Sequence, residues 1–262
     1  MIETHAHMNF PEFDEDRDAA LGRARDAGVH TIINIATDFE SCDRVIELAE
    51  SHERLFAVVG VHPHDAKSWD GNRSAERLRK LAKHPKVVAI GEIGLDYYRD
   101  YSPRDRQKAA FVDQIAVARE MKLPIVIHNR DAFDDVFDAL LDTEAFEVGG
   151  VFHCFSESPE RAQQTIDLGF YISVNGVLTY KNSTMAAVGQ SARLDRILLE
   201  TDCPFLAPHP FRGKRNEPSY IPHIANHLAE LRGCTFDDVN RITDANACEV
   251  FKLPPQNVSQ GA

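Results

Sequence analysis

Glu3-Thr4-His5-Ala6-His7 ends the first apolar run of the chain, which begins at Ile2. Side chains alternate along a strand, so two histidines two residues apart point to one face. Two imidazoles on one face are half of a metal site. The fold and the chemistry then depend on whether other apolar runs end in ligands of the same kind. Taken alone, the H-x-H pair fits a metal site and a pair of surface histidines equally well.

Working outward, seven more short apolar runs follow: Thr31–Ala36, Leu55–Val61, Val87–Gly91, Ile125–His128, Val151–Phe155, Tyr171–Val174 and Ile197–Thr201. Several are near-continuous in Val, Ile, Leu and Phe, as parallel strands covered on both faces require. The stretches between them carry helical spacing: Leu21, Ala24 and Arg25 before Gly28; Val45, Ile46, Leu48 and Ala49; Phe111, Ile115 and Ala118; Val136, Phe137, Leu140 and Leu141. Ser158-Pro159-Glu160 reads as an N-cap, a proline at the first helical position and an acidic first turn. Eight strands alternating with helices predict an α/β protein built as a single (β/α)8 TIM barrel. A doubly wound open sheet is the alternative architecture, but no G-x-G-x-x-G follows any strand. Pro222–Leu231 predicts the eighth helix. Thr235-Phe236-Asp237-Asp238 resembles a capping box opening a short extra helix, and another is expected over Ala245–Phe251. The barrel is expected to occupy residues 1–253, with 254–262 as a flexible tail.

Bulk composition narrows the function. The 262 residues are 43% apolar and 27% charged, ordinary for a soluble globular protein. No stretch nears the roughly 18 uninterrupted apolar residues of a membrane span. The strand-like run at Ile2 has no basic segment and apolar h-region before it, so no secretory leader is expected. Cys42, Cys154, Cys203, Cys234 and Cys248 are odd in number and form no C-x-x-C, which predicts reduced thiols and a cytoplasmic location. A net charge of −12 argues against broad attraction to nucleic acid. A nucleic-acid substrate then needs a local basic patch, and carboxylates holding divalent cations would offset part of the acidity.

In a (β/α)8 barrel the chemistry sits at the carboxyl ends of the strands. Here those ends read His5 and His7, His62-Pro63-His64, Gly91-Glu92-Ile93-Gly94, His128, His153 and Glu200-Thr201-Asp202. Imidazoles and carboxylates without thiolate suit zinc, manganese, nickel or, less tightly, magnesium. Six candidate ligands exceed one four-coordinate catalytic site with an open position, so two cations are expected, and the two oxygens of Glu92 allow it to bridge them. After the eighth strand, Phe211-Arg212-Gly213-Lys214-Arg215-Asn216 places three cations on the same rim, suited to phosphate oxygens. Tyr97, Tyr98 and Tyr101 are able either to stack on bases or to pack as rim structure. Cys154 is expected to face away from His153 as a small buried filler, and neither it nor Cys203 has a base paired with it.

Taken together, these blocks resemble the TatD family of metal-dependent deoxyribonucleases, within the amidohydrolase-like TIM barrels. The likeness runs in order through Thr4–His7, Gly60–His64, Gly91–Tyr98, Pro124–His128, Phe152–Ser156, Glu200–Pro204 and Arg212–Asn216. It implies that His5, His7, Glu92 and Asp202 hold one divalent metal and that Glu92, His128 and His153 hold the other, the metals being Mg, Mn or Zn. It implies hydrolysis of DNA phosphodiesters from a 3′ end, with a single-stranded or frayed DNA terminus as partner and no membrane. Glu3 and Asn9 stand where the family commonly has Asp. On this reading Asp202, Glu92 and His62 are catalytic: Asp202 ligates and takes the proton of the attacking water, and His62 contacts the scissile phosphate or orders the site. Glu200 is a further ligand or an orienting group, and His64, Tyr97, Arg212, Lys214 and Arg215 bind substrate. Two other readings stay open. One is a metal-dependent hydrolase of an acyl substrate, such as an aminoacyl-tRNA, lactone or amide. The other is a non-catalytic metal-binding scaffold.

Overall fold

In the computed structural model, which describes residues 1–254, each of the eight apolar runs is a strand: β1 (Ile2–Ala6), β2 (Thr31–Ile35), β3 (Leu55–Val59), β4 (Val87–Asp96), β5 (Ile125–Arg130), β6 (Gly150–Phe152), β7 (Tyr171–Val174) and β8 (Ile197–Leu199). All neighbours pair in parallel and in chain order. Between them run α1 (Arg17–Asp26), α2 (Phe39–Ser51), α3 (Asn72–Ala82), α4 (Arg104–Met121), α5 (Phe133–Asp142), α6 (Pro159–Asp167) and α7 (Thr184–Ser191), followed by α8 (Ile221–Arg232) and α9 (Phe236–Val250). This is the (β/α)8 barrel expected from the alternation. No helix among the described residues is long and apolar enough to cross a membrane.

Strand alternation sorts the apolar residues into two layers. Ile32, Ala57, Ile125, Ile127, Phe152, Ile197 and Leu199 face outward onto helix residues such as Phe111, Ile115, Val136 and Leu228. Ile33, Phe56, Val58, Val126, Val151 and Leu198 face inward, where Ala247, Val250, Phe251 and Leu253 pack against them from the amino-terminal end of the barrel. That end is therefore plugged by apolar side chains, and the carboxyl rim is left open.

The sheet closes through β1. His7 N–H donates to Cys203 O and Asp202 N–H to His5 O, both at 2.9 Å, in a parallel bridge between Ala6 and Cys203. Closure thus places Asp202, from the far end of the barrel sequence, beside His5 and His7 from its start.

Strand ends differ from the sequence expectation where the site is built. β4 continues to Asp96 and β5 to Arg130, because Ile93, Gly94, Leu95 and Asp96 pair onward with Ile127, His128, Asn129 and Arg130. Gly94 permits this: its φ is +144°, and a Cβ there would lie 1.9 Å from His128 O. β6 and β8 instead stop short, leaving His153 and Glu200–Asp202 just beyond their ends. At the carboxyl terminus the two short extra helices are one helix of 15 residues. Thr235 caps it, and Val239, Thr243, Ala247 and Val250 form one continuous buried face with no breaker between the two expected segments. Apart from Pro254, the expected tail lies outside the described residues.

Candidate metal centre and substrate cavity

Glu92 reaches the barrel axis through an irregularity in β4. The register against β5 slips between Ile90 and Ile93, so both isoleucines pack outward while Glu92 turns inward. Four imidazoles surround its carboxylate. Oε1 lies 2.8 Å from His128 Nδ1, 2.8 Å from His153 Nε2 and 3.4 Å from His62 Nε2, and Oε2 lies 3.4 Å from His5 Nε2. Asp202 Oδ1 is 3.4 Å from His7 Nε2 and 3.8 Å from His5 Nε2. The His5 and His153 rings stack with centroids 4.0 Å apart.

Burial disfavours charge throughout this cluster, and the neighbours decide where charge survives. Burial alone would raise the Glu92 carboxyl, but His153, His62 and His128 hold it well below the carboxylate range. Asp202 is likewise held down against burial by its hydrogen bond with His7 and by His5 and His153. Burial lowers His62 to about 4 and, together with His153, lowers His5. His153 is raised well above its ordinary value, because Glu92 and Glu200 outweigh its burial.

These residues fit divalent cations. His5 Nδ1, His5 Nε2 and His153 Nδ1 are buried without a hydrogen-bond partner, a costly arrangement for a ring nitrogen unless its lone pair or N–H is otherwise engaged. One ligand atom from each of His5, His7 and Glu92 lies within 4.8 Å of the others. The same holds for His5, His153 and Asp202, and for His62, Glu92 and His128. Nitrogen and carboxylate donors with no thiolate match the expected metals.

Buried carboxylates brace these histidines. Asp96, fully buried, accepts from His64 Nε2 at 2.8 Å and lies 3.1 Å from His128 Nε2. The second contact leaves His128 Nδ1 to face Glu92. Both histidines hold the Asp96 carboxyl low against its burial. Glu200 is a bracing residue as well. Its Oε1 accepts from Cys154 N–H at 2.8 Å and Asn175 Nδ2 at 3.1 Å, its Oε2 accepts from Ser173 Oγ, and His153 Nδ1 lies 3.5 Å away. Glu3 is buried beneath His5, where Oε1 accepts from the N–H groups of His5 and Thr201 at 2.9 and 3.0 Å. Burial pushes its carboxyl up to about 8. It thus ties β1 to the end of β8 through the backbone.

Above the cluster opens a cavity of about 790 Å³. His7, His62, His64, Glu92, His128, His153 and Asp202 line it, whereas the ring of His5 is buried beneath. Cys154 also lines it, contrary to the expectation of an outward filler: β6 ends at Phe152, so strand alternation no longer governs residue 154, whose φ is +48°. Burial raises its thiol to about 12, which keeps it protonated and non-nucleophilic at neutral pH.

The expected substrate residues divide. His64 is on the wall. Tyr97 is turned away, its hydroxyl 2.5 Å from Asp135 Oδ2 and its ring under Arg104. Arg215 pairs with Asp16 at 2.7 Å over the Phe13 ring, Arg212 lies over Tyr180, and Lys214 lies near Phe211. None of these four lines the cavity. Its cations are Arg99 and Arg130, and its aromatic wall is Phe10, Tyr101 and Phe205. Arg130 had a readable signal: it stands two residues after His128 and shares its face if the strand continues.

A carboxylate at the centre of a ring of histidines, on the carboxyl rim of a (β/α)8 barrel, defines a metal-dependent hydrolase. A family model described as TatD related DNase matches residues 2–252, and the chain belongs to the TatD family. It is 44% identical over 254 residues to the uncharacterized metal-dependent hydrolase YabD of Bacillus subtilis, covering 97% of this chain and 99% of that protein. It is 38% identical over 259 residues to the 3′-5′ ssDNA/RNA exonuclease TatD of Cronobacter sakazakii, covering 96% and 97%. Among solved structures, YJJV, a TatD homolog from Escherichia coli K12, superposes with a TM-score of 0.91 at 35% identity, covering 97% of this chain and 98% of that one.

Proposed function

We propose that the protein removes nucleotides from the 3′ end of single-stranded or frayed DNA by hydrolysing phosphodiester bonds with two divalent cations. The observation that carries this is the Glu92-centred ligand cluster at the floor of a cavity walled by two arginines and three aromatic rings. The activity named for the Cronobacter relative points the same way.

His5, His7, Glu92 and Asp202 would hold one cation, and Glu92, His128 and His153 the other. When bound, they supply Lewis acidity to the phosphoryl group and to water. His62 has a defined tautomer. Its Nδ1 accepts from His64 N–H at 3.1 Å, so the neutral ring carries its proton on Nε2, which can donate to a phosphoryl oxygen of the substrate. Asp202 Oδ1, kept ionised by His7, accepts the proton of the water that attacks phosphorus as the bond to the leaving 3′ oxygen breaks. His64, braced by Asp96, stands beside His62 with ring centroids 4.3 Å apart and orders that side of the floor. The five cysteines are unpaired, which suits a reducing cytoplasm.

The test is a panel of single-stranded DNA, RNA, aminoacyl-tRNA, a lactone and a dipeptide, each with Mg²⁺, Mn²⁺ or Zn²⁺ after dialysis against chelator. DNA shortened from its 3′ end, with loss of turnover in Asp202→Asn, is the expected result. Rapid lactone or aminoacyl-ester turnover with inert DNA would replace this reading with acyl hydrolysis.

A further inference from the structure

Arg99 and Arg130 are two exposed guanidiniums on the cavity wall, both lying over the Tyr98 ring with Cζ 5.4 Å and 4.0 Å from its centroid. Among the described residues neither lies within ion-pair distance of a carboxylate, and of the arginines that share this freedom, such as Arg25 and Arg196, it is these two that line the cavity of a chain of net charge −12. Two cations left free on one wall of an acidic protein's cavity are available to an anion.

Their placement is built rather than incidental. Asp96 Oδ1 accepts from the N–H groups of Tyr98 and Arg99 at 3.0 and 2.8 Å, while its Oδ2 braces His64 and His128. Asp96 is the register partner of Arg130, and Tyr97 N–H donates to Arg130 O at 2.9 Å. Gln107 clamps the turn from below: its Oε1 accepts from Asp96 N–H at 2.8 Å and its Nε2 donates to Ser102 O at 2.8 Å. The extension of β4 and β5 past the metal ligands thus ends in the arginine pair. Arg130 stands about 6.6 Å beyond His128 along its strand, a separation comparable to one nucleotide.

We propose that Arg99 and Arg130 form a subsite for a non-scissile phosphate of the nucleic-acid chain, one nucleotide from the phosphate being cleaved, with Tyr98 orienting both guanidiniums. The subsite rests on the phosphodiesterase reading and adds to it the requirement for a second phosphate. Guanidinium forks recognise phosphate oxygens bidentately.

The experiment compares Arg99→Ala, Arg130→Ala, Arg130→Lys and, as a charge-matched surface control, Arg25→Ala on two substrates. One is a single-stranded oligonucleotide; the other is bis(p-nitrophenyl) phosphate, which has a single phosphodiester. Each alanine variant in the pair is expected to raise KM for the oligonucleotide roughly tenfold or more, as for the loss of a hydrogen bond to a charged group. KM for the single diester should rise far less, and kcat on the oligonucleotide should stay within about twofold. The dependence of log KM on log salt should become shallower by about one unit for each variant. Arg130→Lys should keep the salt slope and lose part of the affinity, and Arg25→Ala should change nothing. If the wild type degrades the oligonucleotide and the two alanine variants keep its KM and salt slope, the subsite is wrong and the nuclease reading stands. If the wild type hydrolyses the single diester and neither binds nor degrades the oligonucleotide, both fall.

Discussion

Glu92 Oε1 lies 2.8 Å from two imidazole nitrogens and 3.4 Å from a third, so its charge is what holds three histidines about one point. Glu92→Gln removes that charge and leaves the shape. Activity is expected to fall by a factor on the order of 10³, with unchanged circular dichroism and fewer cations bound per chain by titration calorimetry. Glu200 acts at one remove. Glu200→Gln keeps one carbonyl oxygen for both the Cys154 N–H and Asn175 Nδ2 and loses the acceptor for Ser173 Oγ. Its metal affinity should drop roughly 10–100-fold, and retention of full affinity would show that His153 needs no brace. The clustering of the candidate histidines and carboxylates was legible because each follows an apolar run that the strand rule places at the rim. The cations that line the cavity were not, because a charge count along Arg212–Arg215 cannot reveal that Asp16, far away in sequence, already holds Arg215. Strand alternation does not reach Cys154, which lies two residues past the end of β6.

At the scale of elements, β4 and β5 carry the site and Gly94 makes their pairing possible. A methyl group there would meet His128 O at 1.9 Å on a backbone with φ of +144°. Gly94→Ala is therefore expected to destabilise by about 3 kcal/mol or more and to lower kcat by displacing His128. A urea midpoint within error of the wild type would refute the close approach. The extension of these strands was hidden in the sequence, since Glu92, Gly94 and Asp96 interrupt the apolar run that marks a strand. Hydrogen bonds to Gln107 and to the neighbouring strand replace the missing apolar signal. The last helix, expected as two short ones, is continuous for a similar reason: polar residues Asn240, Arg241 and Asp244 interrupt its apolar pattern without breaking its backbone.

For the molecule as a whole, one end of the barrel must be plugged if the other is to hold a charged centre, and α9 is the plug. Besides its apolar contacts it is fastened to β1 by Asp244, whose Oδ1 accepts from Ile2 N–H at 2.7 Å and whose Oδ2 lies 3.3 Å from His30 Nε2 and 3.4 Å from the Met1 ammonium. Burial would raise the Asp244 carboxyl, but the His30 hydrogen bond, the Met1 charge and the Ile2 N–H together lower it. A carboxyl whose folded value lies below its unfolded value of about 3.9 stabilises the fold fully above that pH, and loses this contribution as pH falls through the lower folded value. Asp244→Asn keeps an oxygen for the Ile2 N–H and removes the charge. At pH 7 it should cost about 1–3 kcal/mol, read as a lower urea midpoint with unchanged m. Between pH 4 and pH 2 the wild type should lose stability faster than the variant, and the two midpoints should converge. A difference that stays constant across that range would mean that Asp244 fastens α9 through shape and hydrogen bonding alone. Because the plug and the metal centre occupy opposite ends of the strands, Asp244→Asn should leave kcat at neutral pH unchanged while the protein remains folded, which separates the stability of the barrel from the chemistry on its rim.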